Sequence, residues 1–147
     1  MPGIEEDRRR LSQLSYEAQM LQGQGENMQE QLNALAALVA QLQAAIESLK
    51  VLKERNGGAD GFVPIGAGVL APAKINNGAV LVEVGANVLI EKPCDEAINN
   101  LEARLKETLE AQEKMQQGAL NLGRRLREID LEAREIIGRM RAAPVEE

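Results

Sequence analysis

The 147-residue sequence contains no histidine and no tryptophan, and only one phenylalanine, one tyrosine and one cysteine. Without histidine the commonest general base and metal ligand is missing. A single cysteine excludes an intramolecular disulfide and any multi-cysteine zinc site. With aromatics at 1%, Leu, Val, Ile and Ala must fill the core, which points to an elongated, layered structure. No stretch approaches the roughly 18 uninterrupted apolar residues of a membrane span. The opening Met1-Pro2-Gly3-Ile4-Glu5-Glu6-Asp7 lacks the basic start and apolar core of a secretory leader. A net charge of -6 suits a nucleic-acid binder poorly. The expectation is a soluble protein of the reducing cytoplasm, bound to neither membrane nor nucleic acid.

What is present divides into three parts of one domain over 1–147. Residues 5–55 hold no proline and follow a seven-residue apolar beat. Leu11, Ala18, Leu32, Val39 and Ile46 form one set; Leu14, Leu21, Met28, Leu35, Leu42 and Leu49 form the set three residues on. Asn56-Gly57-Gly58 ends the segment. The beat returns over 95–141, with Asp95 after Pro93 as the expected N-cap and Pro144 beyond. One set there reads Ile98, Leu105, Gln112, Ala119, Leu126, Ala133 and Met140; its partner reads Leu101, Thr108, Met115, Leu122, Ile129 and Ile136. Such spacing marks a narrow coiled-coil seam. Each helix would be about 70 Å long at 1.5 Å per residue. Antiparallel pairing would put Ile46 and Leu49 beside Leu101, and Leu11 beside Met140.

Residues 62–92 change period and repeat themselves. Val63-Pro64-Ile65-Gly66-Ala67-Gly68-Val69-Leu70 matches Val82-Glu83-Val84-Gly85-Ala86-Asn87-Val88-Leu89. Each copy reads as a β-hairpin, the two joined by Asn76-Asn77-Gly78. Two bare hairpins are marginal in water and expose strand edges. With the helices committed to each other, other subunits must cover these strands. The residues that would carry oligomerisation are Phe62, Val63, Ile65, Val69, Leu70, Val80, Leu81, Val82, Val84, Val88, Leu89 and Ile90.

Gly66-Ala67-Gly68-Val69-Leu70-Ala71 fits the dinucleotide pattern G-x-G-x-x-G/A, but that motif works only where a helix begins. Here Pro72 and a continuing β-pattern follow, so it is a hairpin turn. No P-loop sequence occurs, and no cofactor is expected. Glu102, Glu107, Glu110 and Glu113 lie among Arg and Lys on a helix face, as solvated pairs, so no catalytic or metal residue is assigned and no enzyme is expected. Arg8-Arg9-Arg10 and Arg124-Arg125-Arg127 are solvated surface, or a docking point for an acidic partner or for nucleic acid, the last of these poorly supported without interleaved aromatics or a basic total. Cys94 reads as a small buried residue where sheet meets helix. Gly23, Gly25 and Gly123 would fall at one height and form a weak point where the helices bend or splay.

Paired long heptad helices flanking a repeated V-x-[IV]-G-A-x-V-L double hairpin resemble the prefoldin family, in its archaeal alpha class. The resemblance implies an α+β fold: a long antiparallel two-helix coiled coil with a central pair of β-hairpins that assemble into an oligomeric β-barrel. It implies a hexamer of two alpha and four beta subunits. It also implies ATP-independent capture of unfolded client proteins at the distal coiled-coil tips and their delivery to a group II chaperonin. The tips would hold Ile4, Leu11, Leu14, Tyr16, Met20, Leu21, Leu131, Ile136, Ile137, Met140 and Val145. The rival expectation is a self-assembling structural subunit forming filaments, as gamma-type prefoldins do. A coiled-coil adaptor or nucleic-acid scaffold ranks behind both.

Overall fold

The computed structural model describes residues 2–55 and 57–142. The elements run α1 (Pro2–Glu54), β1 (Ala59–Gly66), β2 (Val69–Ile75), β3 (Val80–Glu83), β4 (Leu89–Lys92) and α2 (Cys94–Ala142). Two compact units emerge: a terminal unit of Met1–Ala34 and Ala111–Glu147, and a central unit of Leu35–Glu110.

Every residue of the four expected apolar sets is buried or half-buried in its unit, because a seven-residue repeat keeps one stripe on the same side of a helix. α1 begins three residues before its expected start and ends at Glu54, and α2 exceeds its expected limits by one residue at each end. Asp95 does not cap α2. The helix begins at Cys94, and the Pro93 carbonyl accepts the Ala97 N–H at 3.0 Å. Asp95 instead sits in the first turn, where its charge favours the helix dipole, and pairs with Lys53. That hydrogen bond raises the affinity of Lys53 for its proton. Asn56 and Pro144 lie outside the described residues.

In the central unit β1 pairs antiparallel with β2, and β3 with β4. The ladders depart from the expected segment: β1 starts at Ala59, before residue 62, and Val84 and Val88 of the expected oligomerisation set fall outside the strands. Pro64 pairs with Leu70 and Phe62 with Pro72. A proline cannot donate to its partner strand, so these are the non-hydrogen-bonded pairs and both prolines face the outer edges. The sequence repeat is also a backbone repeat. Gly66, Ala67 and Gly68 turn the first hairpin with φ of 133°, 49° and 79°; Gly85, Ala86 and Asn87 turn the second with 114°, 50° and 60°. A strand follows each turn, so the dinucleotide pattern has no helix to open.

The joint between the hairpins is tied by side chains. The Gly78 N–H donates to Asn76 Oδ1 at 2.8 Å, the Asn77 amide donates to the Arg55 carbonyl, and the buried Cys94 thiol donates to the Asn77 carbonyl at 3.4 Å. Leu42, Ile46, Cys94, Ala97 and Ile98 are the buried apolar residues of this unit. Val80 and Val82 are half-buried and share a shallow recess with Leu49 and Leu101. The helices therefore cover part of β3, contrary to the expectation that they would cover none of it.

One further expectation needs qualifying. α1 contains an 18-residue window of mean hydropathy 1.4, long and apolar enough by composition to cross a membrane. Gln41, Gln43 and Glu47 interrupt the Leu- and Ala-rich stretch around Leu35–Leu49.

Candidate functional site

Most of the exposed large apolar side chains lie on two surfaces, the hairpins of the central unit and the outer faces of the terminal unit; Val51 and Leu109 are exposed on the helices of the central unit. In the terminal unit, Leu14, Ile129 and Ile136 form the core, with Leu11, Ala18, Leu21, Ala133 and Met140 packed against them. These residues come from both helices at seam positions, so the helix pair closes over them.

Leu14 is 1% exposed and Ile136 2%, so both are closed inside the helix pair rather than presented at the surface. Leu11, Leu21 and Met140 are half-buried beside them. A residue on the seam of the seven-residue beat faces the partner helix first. Tyr16, Met20, Leu131 and Ile137 lie off the seam and are exposed, Tyr16 at 67%, and Ile4, seven residues before Leu11 on the beat, is exposed at 37%. Val145 lies outside the described residues. Between the helices runs a groove of about 470 Å³ lined by Leu11, Leu14, Ala18, Leu126, Ile129 and Ala133, where two alanines leave room between larger neighbours.

Ion pairs flank this core. Arg10 Nε donates to Glu132 Oε1 at 2.7 Å and Arg10 Nη2 to Glu132 Oε2 at 3.0 Å. Arg125 grips Glu17 in the same forked way, at 2.7 and 2.9 Å, and donates to Glu128 at 3.2 Å. Arg139 reaches Asp7 at 3.1 Å. The Arg125 hydrogen bonds hold Glu17 below its ordinary value of 4.5, and Arg10 does the same for Glu132. Both arginines bind their protons correspondingly more tightly. Solvent screens these exposed pairs, so each contributes only modestly to stability.

The sequence reading missed this arrangement, although a signal was there. Arg10 and Glu17 stand seven residues apart beside the seam, as do Arg125 and Glu132, the placement of interhelical charge pairs in coiled coils. The glycine expectation changes too. Gly25 faces Leu122, whose Cδ2 lies 3.5 Å from where a Cβ would sit, while Gly23 and Gly123 face open space. Gly118 also faces the opposite helix, where a Cβ would sit 3.3 Å from Met28 Cε.

On the hairpins, Phe62, Val63, Ile65, Val69, Leu70, Leu81, Val84, Val88, Leu89 and Ile90 are exposed, whereas Val80 and Val82 are half-buried. Among the described residues no cluster of three His, Cys, Asp or Glu side chains is placed to hold a metal.

A family profile described as "Prefoldin subunit" matches residues 5–138. The chain belongs to the prefoldin family. Prefoldin subunit alpha of Pyrococcus horikoshii is 35% identical over 133 residues, covering 89% of this chain and 90% of its own. Prefoldin subunit alpha 1 of Thermococcus kodakarensis is 37% identical over 103 residues, covering 69% and 70%. A filamentous PFD of Methanocaldococcus jannaschii, solved by cryo-electron microscopy, superposes with a TM-score of 0.68 at 25% identity. That match covers 81% of this chain and 99% of the other.

The likeness extends over helices and hairpins together, so the prefoldin architecture accounts for the exposed strands: prefoldins assemble with other prefoldin subunits into oligomers. The chain is a prefoldin of the archaeal alpha kind and has the role of a chaperone subunit, in a family of chaperone subunits rather than enzymes.

Proposed function

We propose that the chain is an ATP-independent holdase subunit that captures unfolded proteins on the outward apolar residues of its terminal unit. Ile4, Tyr16, Met20, Leu131 and Ile137 carry that contact, and the observation behind it is their exposure around a core that is already closed. Aromatic and Met side chains adapt to varied partners because their apolar bodies tolerate many packings. Each patch binds weakly, but several subunits in one assembly gain affinity by engaging one client together. Release follows when a group II chaperonin competes for the same segments, so no nucleotide chemistry is called for.

The hairpins supply the assembly. Phe62, Val63, Ile65, Val69, Leu70, Leu81, Val84, Val88, Leu89 and Ile90 pair with the strands of beta-class subunits, in a hexamer of two alpha and four beta chains working in the cytoplasm. The single domain then divides its labour, with residues 62–92 holding the complex together and the two helices presenting the client surface.

The test is light scattering of a chemically denatured client in the presence of the assembled complex and no ATP. Replacing Tyr16, Met20 and Leu131 together with Ser should abolish suppression of aggregation while native mass spectrometry still finds the hexamer. Full suppression by that variant would move the client surface elsewhere. A second reading, a structural filament former, is favoured by the likeness to the filamentous PFD. Filaments assembled from the purified chain alone would support it over the holdase.

A further inference from the structure

The run Arg124-Arg125-Arg127 is split by the fold. Arg125 turns to α1 and is held by Glu17 and Glu128. Arg124 and Arg127 are exposed and, among the described residues, make no ion pair. The acids nearest in sequence are already engaged: Glu128 by Arg125, Asp130 by Arg134 at 3.1 Å, and Glu132 by Arg10. Leu120 lies four residues before Arg124, and Leu131 four residues after Arg127; they are 60% and 63% exposed. Spacings of four, three and four residues stack all four side chains on one face of α2. Leu122, Ile129 and Ile136, which pack toward α1, lie on the opposite face. The ridge is about 16 Å long at 1.5 Å per residue.

Single exposed leucines are ordinary on a protein surface. Two of them bracketing two unneutralised guanidiniums, in a chain of net charge -6, form a surface with a definite complement. We propose that this ridge docks an acidic amphipathic helix of a partner protein. That helix carries two carboxylates three residues apart, with an aliphatic residue four positions outside each. Guanidinium and carboxylate meet fork to fork, and the flanking leucines lose water against the aliphatic pair. Three turns of helix match the ridge in length, as in helix-on-surface recognition read through i, i+3 and i+4 anchors. An unfolded client offers no fixed carboxylate spacing. A nucleic acid offers phosphates but nothing aliphatic to cover Leu120 and Leu131.

The test uses the assembled full-length complex and a helix-stabilised peptide with Leu, Glu, Glu and Leu at this spacing. A lysine counterpart, a scrambled peptide and a DNA duplex serve as comparisons. The acidic peptide should bind saturably, lose affinity with salt, and bind about tenfold or more weakly to R124E/R127E and to R124Q/R127Q. The lysine counterpart should bind R124E/R127E better than it binds the original chain. Circular dichroism and suppression of client aggregation should be unchanged in both variants, since neither arginine belongs to the proposed client surface. The proposal is overturned if the scrambled peptide binds equally well, if neither variant weakens binding, or if the duplex displaces the acidic peptide.

Discussion

Arg10 on α1 and Glu132 on α2 are joined by two hydrogen bonds, and Glu17 and Arg125 repeat the arrangement with the charges exchanged between helices. This exchange sets the register. Sliding α2 by one heptad in one direction would bring Arg10 opposite Arg125. Sliding it in the other would bring Glu17 opposite Glu132 and Arg10 opposite Arg139. Like charges so placed are destabilising, so both slips are disfavoured while an apolar seam alone would tolerate them. Arg10→Glu should therefore speed hydrogen exchange at Leu14 and Ile129, and the double variant R10E/E132R should restore protection. Equal exchange in all three proteins would contradict the register role.

Acid should loosen the terminal unit. Glu17 and Glu132 hold protons less tightly in the folded chain than in the unfolded one, because Arg125 and Arg10 hydrogen-bond their ionised forms. The unfolded state thus binds more protons, and stability rises with pH through this range. The contribution is complete above the ordinary value of 4.5 and disappears as pH falls through the lowered values. Melting temperature measured against pH should show this loss, and E17Q/E132Q should flatten the curve below pH 4.5. An unchanged slope in that variant would rule the pairs out as its source.

Leu14 and Tyr16 are two residues apart and should behave oppositely. Leu14→Ala opens a cavity in the closed core and should cost about 2–5 kcal/mol in thermal or denaturant unfolding. Tyr16→Ser removes an exposed ring and should alter stability by no more than about 0.5 kcal/mol, yet weaken client capture. If Leu14→Ala is silent in unfolding, the core described above is misassigned.

The contrast between these two residues also shows how much was legible in the sequence. The seven-residue beat placed every seam position on the inner side of its helix, and the repeated Gly-Ala turns gave both hairpins, because each signal is local and periodic. The family resemblance also placed Leu14 and Ile136 among the client contacts. A residue cannot serve the seam and the surface at once, and only the paired helices reveal which use prevails. The Arg10–Glu132 and Glu17–Arg125 pairs were less visible. They depend on two helices more than a hundred residues apart in sequence meeting at one height.

Glycines at open positions offer a route to a stiffer molecule. Gly23→Ala and Gly123→Ala add a methyl group with nothing nearby to meet it. Each should stabilise its helix by roughly 0.5–1 kcal/mol. Gly118→Ala should gain less, since its Cβ would sit 3.3 Å from Met28 Cε. If the terminal unit bends at these glycines during capture, the double variant G23A/G123A should exchange amide hydrogens more slowly and suppress client aggregation less well. Unaltered exchange would falsify the bending hypothesis.

Leu81 and Val82 separate assembly from folding. Leu81 is exposed, while Val82 is half-buried near the helices. Leu81→Asp should block oligomer formation, seen by native mass spectrometry, with an unaltered circular dichroism spectrum. Val82→Asp should also lower the melting temperature of the isolated chain. A monodisperse hexamer from Leu81→Asp would refute the role given to the hairpins.

The bare hairpins have a consequence for the life of the chain before it finds companions. A newly made copy with Phe62, Leu70, Leu81 and Leu89 turned to water is itself the sort of sticky polypeptide that a holdase restrains, and its open strand edges invite misassociation. An unassembled copy should therefore aggregate unless other subunits are present to cover these strands. The same bareness makes the orphaned chain easy for quality control to tell apart from the finished complex.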